Sequence, residues 1–102
     1  MFVEMRQYVF HTGGMGKYVE LLKARGHAIV RRHLGDPLAF YTTEIGDTNT
    51  LVHLWQYESF EDRAARRAAM NADPEWQQYL TEILPLIQQQ TSTILNPVDL
   101  PL

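Results

Sequence analysis

Residues Leu51–Arg63, LVHLWQYESFEDR, change their period in the middle, and that change limits what the chain can become. Leu51, His53, Trp55 and Tyr57 share one parity and Val52, Leu54, Gln56 and Glu58 the other, the alternation of a β-strand. At Ser59 the pattern turns helical. Serine is a good N-cap, and Glu61 and Asp62 put negative charge in the first turn, where the helix dipole favours it. The two faces of the strand differ. Val52 and Leu54 make a plain aliphatic face of the kind expected against helices, while the other face holds a histidine and large aromatics that also call for burial. A chain of 102 residues must therefore cover both sides of a central strand, with enough length for one core layer and not for two.

The segments around it follow from similar reasoning. Phe2–Phe10 alternates as a strand, with Val3, Met5 and Val9 on one face (Gln7 is the exception) and Phe2, Glu4, Arg6, Tyr8 and Phe10 on the other. Thr12-Gly13-Gly14 is a turn whose glycines are free to take positive φ; the Lys-Ser/Thr of a phosphate loop does not follow. The spacing predicts a helix over Met15–His33 with an apolar stripe of Tyr18, Leu21, Leu22, Ala28 and Ile29. Gly26 inside it costs roughly 1 kcal/mol relative to alanine, which close packing or a kink would explain. Arg31, Arg32 and His33 complement the dipole at its end.

Leu38–Ile45 reads as a second strand, turning through Gly46-Asp47-Thr48-Asn49 into the Leu51 strand as a hairpin. If Ile45 opposes Thr50, then Phe40 opposes Trp55, Thr42 opposes His53 and Tyr41 opposes Leu54. The helix Phe60–Met70 has a small-residue face of Phe60, Ala64, Ala68 and Ala65 or Ala69, opposite a solvated face of Arg63, Arg66 and Arg67. Asp73 as N-cap and Pro74 at the first position start a last helix, Pro74–Leu84, which Pro85 ends. Leu86–Leu95 is a fourth strand, and Asn96–Leu102 is a tail.

The order β-α-β-β-α-β is the ferredoxin-like split βαβ pattern, an α+β fold with helices on one face of a four-stranded sheet. Crossover handedness puts the first and third strands together at the centre, read here as parallel, flanked by the fourth and the second. The face expected to lie away from the helices collects Arg6, Tyr8, Phe40, Thr42, His53, Trp55 and Tyr57. Three or four exposed aromatics would exceed the roughly 300–600 Å² typical of the largest apolar patch on a monomer. A second copy, sheet to sheet, is the expected cover, so the chain reads as a homodimer.

Several function classes are excluded or disfavoured by composition. The chain has no cysteine, so thiol nucleophiles, disulfides and iron–sulfur clusters are ruled out. A net charge of −3 supplies no basic footprint for nucleic acid. The apolar runs are too short to cross a membrane, and the N-terminus lacks the pattern of a secretory signal, so a soluble cytoplasmic protein is expected. His11, His27, His33 and His53 show no metal-ligand spacing, and neither metal nor cofactor is expected; haem on a single axial histidine is a subordinate reading.

Arg6 and His53 together on central strands need partners or a polar cavity, because an unpaired buried charge is costly. In the functional reading His53 is a general acid or base with a pKa near neutrality, and Arg6 holds a carboxylate, enolate or peroxide anion. Tyr8, Phe40, Thr42, Trp55 and Tyr57 then line a site for a planar or anionic small molecule. The competing reading is structural: Arg6 paired with Glu4 or Glu44, beside a hydrogen-bonded histidine. A different class of function is a non-catalytic scaffold contacting a partner through Arg63, Arg66 and Arg67 or through the proline-containing tail.

MRQYVF (Met5–Phe10), FYTTEIGDTNTLVHLWQYESFEDRAARRAAM (Phe40–Met70), and DPEWQQYL with ILPLI (Asp73–Ile87) resemble the NIPSNAP family of the dimeric α+β barrel superfamily. The resemblance covers almost the whole chain and implies one domain over residues 1–102, a ferredoxin-like four-stranded antiparallel sheet and a dimer. Its functional content is thin. Eukaryotic relatives, which are longer, are associated with mitochondria, vesicle transport and recruitment of mitophagy adaptors. More distant superfamily members are cofactor-free monooxygenases, isomerases or haem-dependent enzymes that use a pocket between sheet and helices.

Overall fold

The computed structural model describes residues 1–101. Strand β1 (Phe2–Phe10) leads into α1 (Gly14–Leu21), a π-helical turn (Leu22–Gly26) and α2 (His27–Leu34). Then come β2 (Ala39–Thr42), β3 (Thr50–Tyr57), α3 (Phe60–Asn71), α4 (Pro74–Ile83), a 3₁₀ turn (Leu84–Leu86) and β4 (Ile87–Leu95). The sheet order is β2-β3-β1-β4, and every pair is antiparallel. The fold class is as expected, but the central pair β1–β3 is antiparallel, not parallel. The reason is the hairpin. The crossover from β1 makes β2 parallel to it, and the loop over residues 43–49 then reverses the chain into β3, which slots between them.

The local signals at helix ends hold. Ser59 Oγ accepts from the Asp62 N–H at 3.1 Å, and Asp73 accepts from the Glu75 N–H at 2.9 Å with Pro74 opening α4. Gly13 takes the positive φ that the turn requires, at 85°, whereas Gly14 already starts α1. Asp73 also ties α4 to α2, bonding His33 Nε2 at 2.7 Å and Arg32 Nη1 at 3.0 Å.

The helix expected over Met15–His33 contains the π turn, and close packing explains Gly26. A Cβ there would sit 2.1 Å from Tyr79 Oη, so only glycine lets α4 approach this closely. The wider turn also shifts the helical phase, which leaves Ala28 exposed while Gly26 and Ile29 are buried.

The hairpin is shorter than expected. β2 ends at Thr42, Ile45 is 92% exposed, and the register places Phe40 opposite His53, Tyr41 opposite Val52 and Thr42 opposite Leu51. That is a slip of two residues from the expected pairing. An even slip keeps every side chain on its own face.

The faces themselves are reversed from expectation. The helices cover the side that carries Phe2, Glu4, Arg6, Tyr8 and Phe10 of β1 and Leu51, His53, Trp55 and Tyr57 of β3, all buried. Tyr8, Phe10 and Leu51 pack with Tyr18, Ile29, Tyr79 and Ile83 from the helices, and Trp55 and Tyr57 pack with Leu34 and Met70. Val3, Met5, Val9, Val52 and Leu54 line the uncovered side and stay half-buried. Bulk decides: aromatics that each bury ~150–250 Å² gain more from a helical cover than valine and leucine do. The aromatic side therefore needs no second subunit to leave water.

α3 is turned over for a related reason. Ala64, Ala65, Ala68 and Ala69 are exposed, and the helix presents Arg63, Arg67 and buried Met70 inward. A fully buried carboxylate, Glu4, awaits that face. No helix among the described residues is long and apolar enough to cross a membrane.

Candidate functional site

Alternation on β1 and β3 places Arg6 directly opposite His53 at the sheet centre, beneath the helices. Each is buried, at 7% and 6% exposure. Burying a guanidinium demands a counter-charge, and Glu4 supplies it two residues away on the same face. Its Oε2 accepts from Arg6 Nη1 at 3.1 Å and Arg63 Nη2 at 3.0 Å, and its Oε1 accepts from Arg63 Nε at 3.0 Å. Ser92 Oγ on β4 also donates to Oε2. Burial would raise the Glu4 pKa, but the hydrogen bonds from Arg63 and Ser92 and the charges of Arg6 and Arg63 outweigh it and hold it at about 2. Arg6 Nε donates to Tyr8 Oη at 3.0 Å, and its Nη2 takes no part in these bonds.

His53 is sandwiched. Tyr8 stacks on one side at 4.9 Å and Phe40 on the other at 4.8 Å, each 18° from parallel. Trp55 stands edge-on and donates its indole N–H to His53 Nδ1 at 2.5 Å. An Nδ1 that accepts leaves the proton of the neutral ring on Nε2. Nε2 is buried and has no hydrogen-bond partner. Burial, then the positive charges of Arg6 and Arg67, lower the His53 pKa to about 3, with Glu4 opposing. The ring is therefore neutral at physiological pH. Its environment runs against the near-neutral pKa on which the acid–base reading depended; what it offers is a hydrogen-bond donor.

These groups border a cavity of about 170 Å³ between sheet and helices. Arg6, Tyr8, Phe40, His53 and Trp55 line it, so five of the seven residues singled out from the sequence come together there. Thr42 and Tyr57 do not. Thr42 is exposed near the end of β2, and Tyr57 is buried further along β3 against Phe2. The helices add Tyr18, Arg67, Trp76 and Tyr79, which sequence reasoning missed as site residues. For Arg67 a signal existed: Arg63, Arg67 and Met70 share one helical face, so a buried Met70 implies inward arginines. Exposed Asn71, Leu84 and Gln90 mark the mouth.

The lining is unbalanced in a way that speaks to chemistry. It contains two guanidinium groups, Arg6 and Arg67, and no carboxylate. Three of the five buried polar atoms that lack partners are on residues that line it: His53 Nε2, Trp76 Nε1 and Tyr79 Oη, the last packed against Gly26. Burial holds the Tyr79 pKa up at about 12 and raises that of Tyr18 as well, so both hydroxyls keep their protons. The cavity is rich in donors, poor in acceptors and otherwise apolar. Among the described residues no group of histidines and carboxylates is arranged to hold a metal ion.

Residues 3–101 match the family model described as NIPSNAP. NipSnap homolog 3A of Pongo abelii is 33% identical over 92% of this chain, which is 38% of that protein. The chain thus spans about two fifths of the length of that curated relative. Among solved structures, a NIPSNAP-like domain protein from Burkholderia xenovorans superposes with a TM-score of 0.92 at 40% identity, covering 99% of this chain and 90% of that one. An antibiotic biosynthesis monooxygenase superposes with a TM-score of 0.64 at 14% identity over 97% of this chain and 100% of its own, a likeness of fold alone.

Proposed function

The chain belongs to the NIPSNAP family, and from that starting point we propose that it binds a small planar or anionic molecule in the cavity beside His53. Cofactor-free oxygenase-like or isomerase-like chemistry on that molecule is the catalytic form of the same reading. The observation that supports it is the lining: two arginines, no carboxylate among the described residues, and residues that carry unpartnered buried donors. A core made only for stability leaves few buried donors unpaired, since each costs about 1–3 kcal/mol. The structural alternative accounts for Arg6, which pairs with Glu4, and for one nitrogen of His53. It leaves Nε2 unexplained. The monooxygenase fold neighbour lends this chain an architecture, and its chemistry enters only as part of the proposal. A screen of small carboxylates, enols and neutral aromatics by thermal shift tests it. Binders should raise the melting temperature of the wild type and lose that effect in Arg67→Met; a cavity that no compound enters would defeat the reading.

In the scaffold alternative, which would contact a partner through Arg63, Arg66 and Arg67 or through the proline-containing tail, the arginines are partly engaged within the chain. Arg63 is engaged with Glu4, Arg66 with Asp62 and the Leu34 carbonyl, and Arg67 lines the cavity.

A homodimer through sheet faces remains part of the proposal, with the face changed. Val3, Met5, Val9, Val52 and Leu54 form an uncovered, half-buried apolar surface on the side away from the helices, and a second copy could cover it sheet to sheet. Sedimentation at micromolar concentration should find two copies; a stable monomer would overturn it. One domain over residues 1–102 and a cytoplasmic location belong to the same proposal.

A further inference from the structure

Resting on the ligand-binding reading above, we propose that the cavity receives a single-ring carboxylate that arrives already ionised, held by Arg6 and by the Nε2–H of His53, and that no protein group takes a proton from it.

Size sets the first limit. An apolar cavity of roughly 150 Å³ accommodates benzene, so about 170 Å³ suits one ring with a small substituent and is tight for two fused rings. The walls agree with a ring, since Leu22, Val30, Phe40, Trp55, Leu80 and Ile83 are among them. A phosphate, which trades a large hydration shell for many donors, would leave that apolar surface uncovered.

Charge sets the second limit. Arg6 and His53 face each other across the central strand pair. Opposed residues in an antiparallel pair have Cβ atoms about 4.5–5.5 Å apart, so one carboxylate can accept from both side chains. Arg6 is pre-oriented for this: Glu4 and Tyr8 hold Nη1 and Nε, which leaves Nη2 for a ligand. His53 is fixed as well, by stacking on two faces and by Trp55 at Nδ1. Donors held this rigidly lose little entropy when an anion arrives.

The third limit is the lack of a base. The charged and titratable groups facing His53 are Glu4, Arg6 and Tyr8 from β1 and Arg67 from α3, with Tyr18 and Tyr79 completing the polar lining from α1 and α4. Glu4 is the one carboxylate among them, and four hydrogen bonds occupy it. His53 has its one unprotonated nitrogen tied to an indole. Nothing in the cavity is placed to deprotonate a neutral guest, so a ligand must bring its own negative charge.

Isothermal titration of the full chain with benzoate, benzamide and benzylamine at neutral pH tests the proposal. Benzoate should bind at least about tenfold more tightly than benzamide, and benzylamine should not bind. Titration of benzoate in two buffers of different ionisation enthalpy should show no net proton exchanged. Arg6→Met should remove the benzoate preference; because it also strips Glu4 of a partner, His53→Gln serves as the second variant and should weaken benzoate several-fold without altering benzamide. If benzamide binds as well as benzoate, or a proton is released on binding, the ligand class is wrong while a cavity for small molecules still stands. If none of the three binds and a crystal structure shows ordered water bridging Arg6 and His53 Nε2, both this inference and the broader one fall.

Discussion

On the helix-covered side of the sheet Phe2, Tyr8, Phe10, Trp55 and Tyr57 are at most 9% exposed, with Glu4, Arg6 and His53 buried among them. On the other side Val3, Met5, Val9, Val52 and Leu54 stay half-buried in the same strands. The side with charged groups is thus the drier one. Aromatic bulk pulls the helices down onto it, and the ionised groups survive there because they satisfy one another. Among the described residues, no helix covers the plainly aliphatic side. Apolar character alone does not choose a packing face; total buried volume and the pairing of polar atoms do.

If that contrast is right, substitutions on the covered side should be far more costly than those on the open side. The largest effect is expected from Glu4→Gln, which leaves two arginines without their shared counter-charge. Breaking a buried ion pair costs about 3–5 kcal/mol, so denaturant unfolding should show a loss of that order. A loss below 1 kcal/mol would mean that Arg6 has found water and is not truly buried.

Acid should come next. His53 is held neutral, its pKa moved from 6.5 to about 3 by burial and by Arg6, so the unfolded chain binds a proton that the folded chain refuses. Stability is then full above pH 6.5 and falls as pH drops toward 3, by on the order of 2–4 kcal/mol. Glu4, held at about 2 against 4.5, adds a loss in the same direction between those values. Melting temperature measured against pH should fall across this window in the wild type and, in His53→Gln, stay flat from pH 6.5 down to about 4.5, where the Glu4 loss begins. An unchanged profile in that variant would place His53 in contact with water.

Gly26→Ala should cost about 1–3 kcal/mol, because the new methyl meets the Tyr79 ring and hydroxyl where the π turn and α4 touch. Combining it with Tyr79→Leu should recover part of that loss; additive effects would contradict the close approach. Smallest is Val52→Thr on the open side, expected to change the stability of a single subunit by about 1 kcal/mol or less. A further loss that depends on protein concentration would be the mark of the proposed second copy on the open side.

Much of the architecture was legible before any coordinates. The period switch at Ser59, the caps at Ser59 and Asp73 and the alternation of β1 and β3 are local, and local rules read them correctly. The same alternation put Arg6, Tyr8, His53 and Trp55 on one face, and β2 added Phe40 despite its two-residue register error. What could not be read locally was which side of that sheet the helices would take, and with it the orientation of α3, where alanines looked like the inner face. Arg63 points inward because Glu4, 59 residues away, sits beneath it. A pairing over that distance leaves no periodic trace near either residue.

The amino-acid order by itself determined the elements, their succession and the set of residues that share a strand face, because those depend on neighbours a few positions apart. Tertiary packing alone decided that this face is the covered one, that β3 runs against β1, and that burial keeps His53 neutral while an indole ties its Nδ1 and leaves Nε2 without a partner. Each of these turns on volume and hydrogen-bond matching between segments distant in the chain, which exist only once the layers have closed.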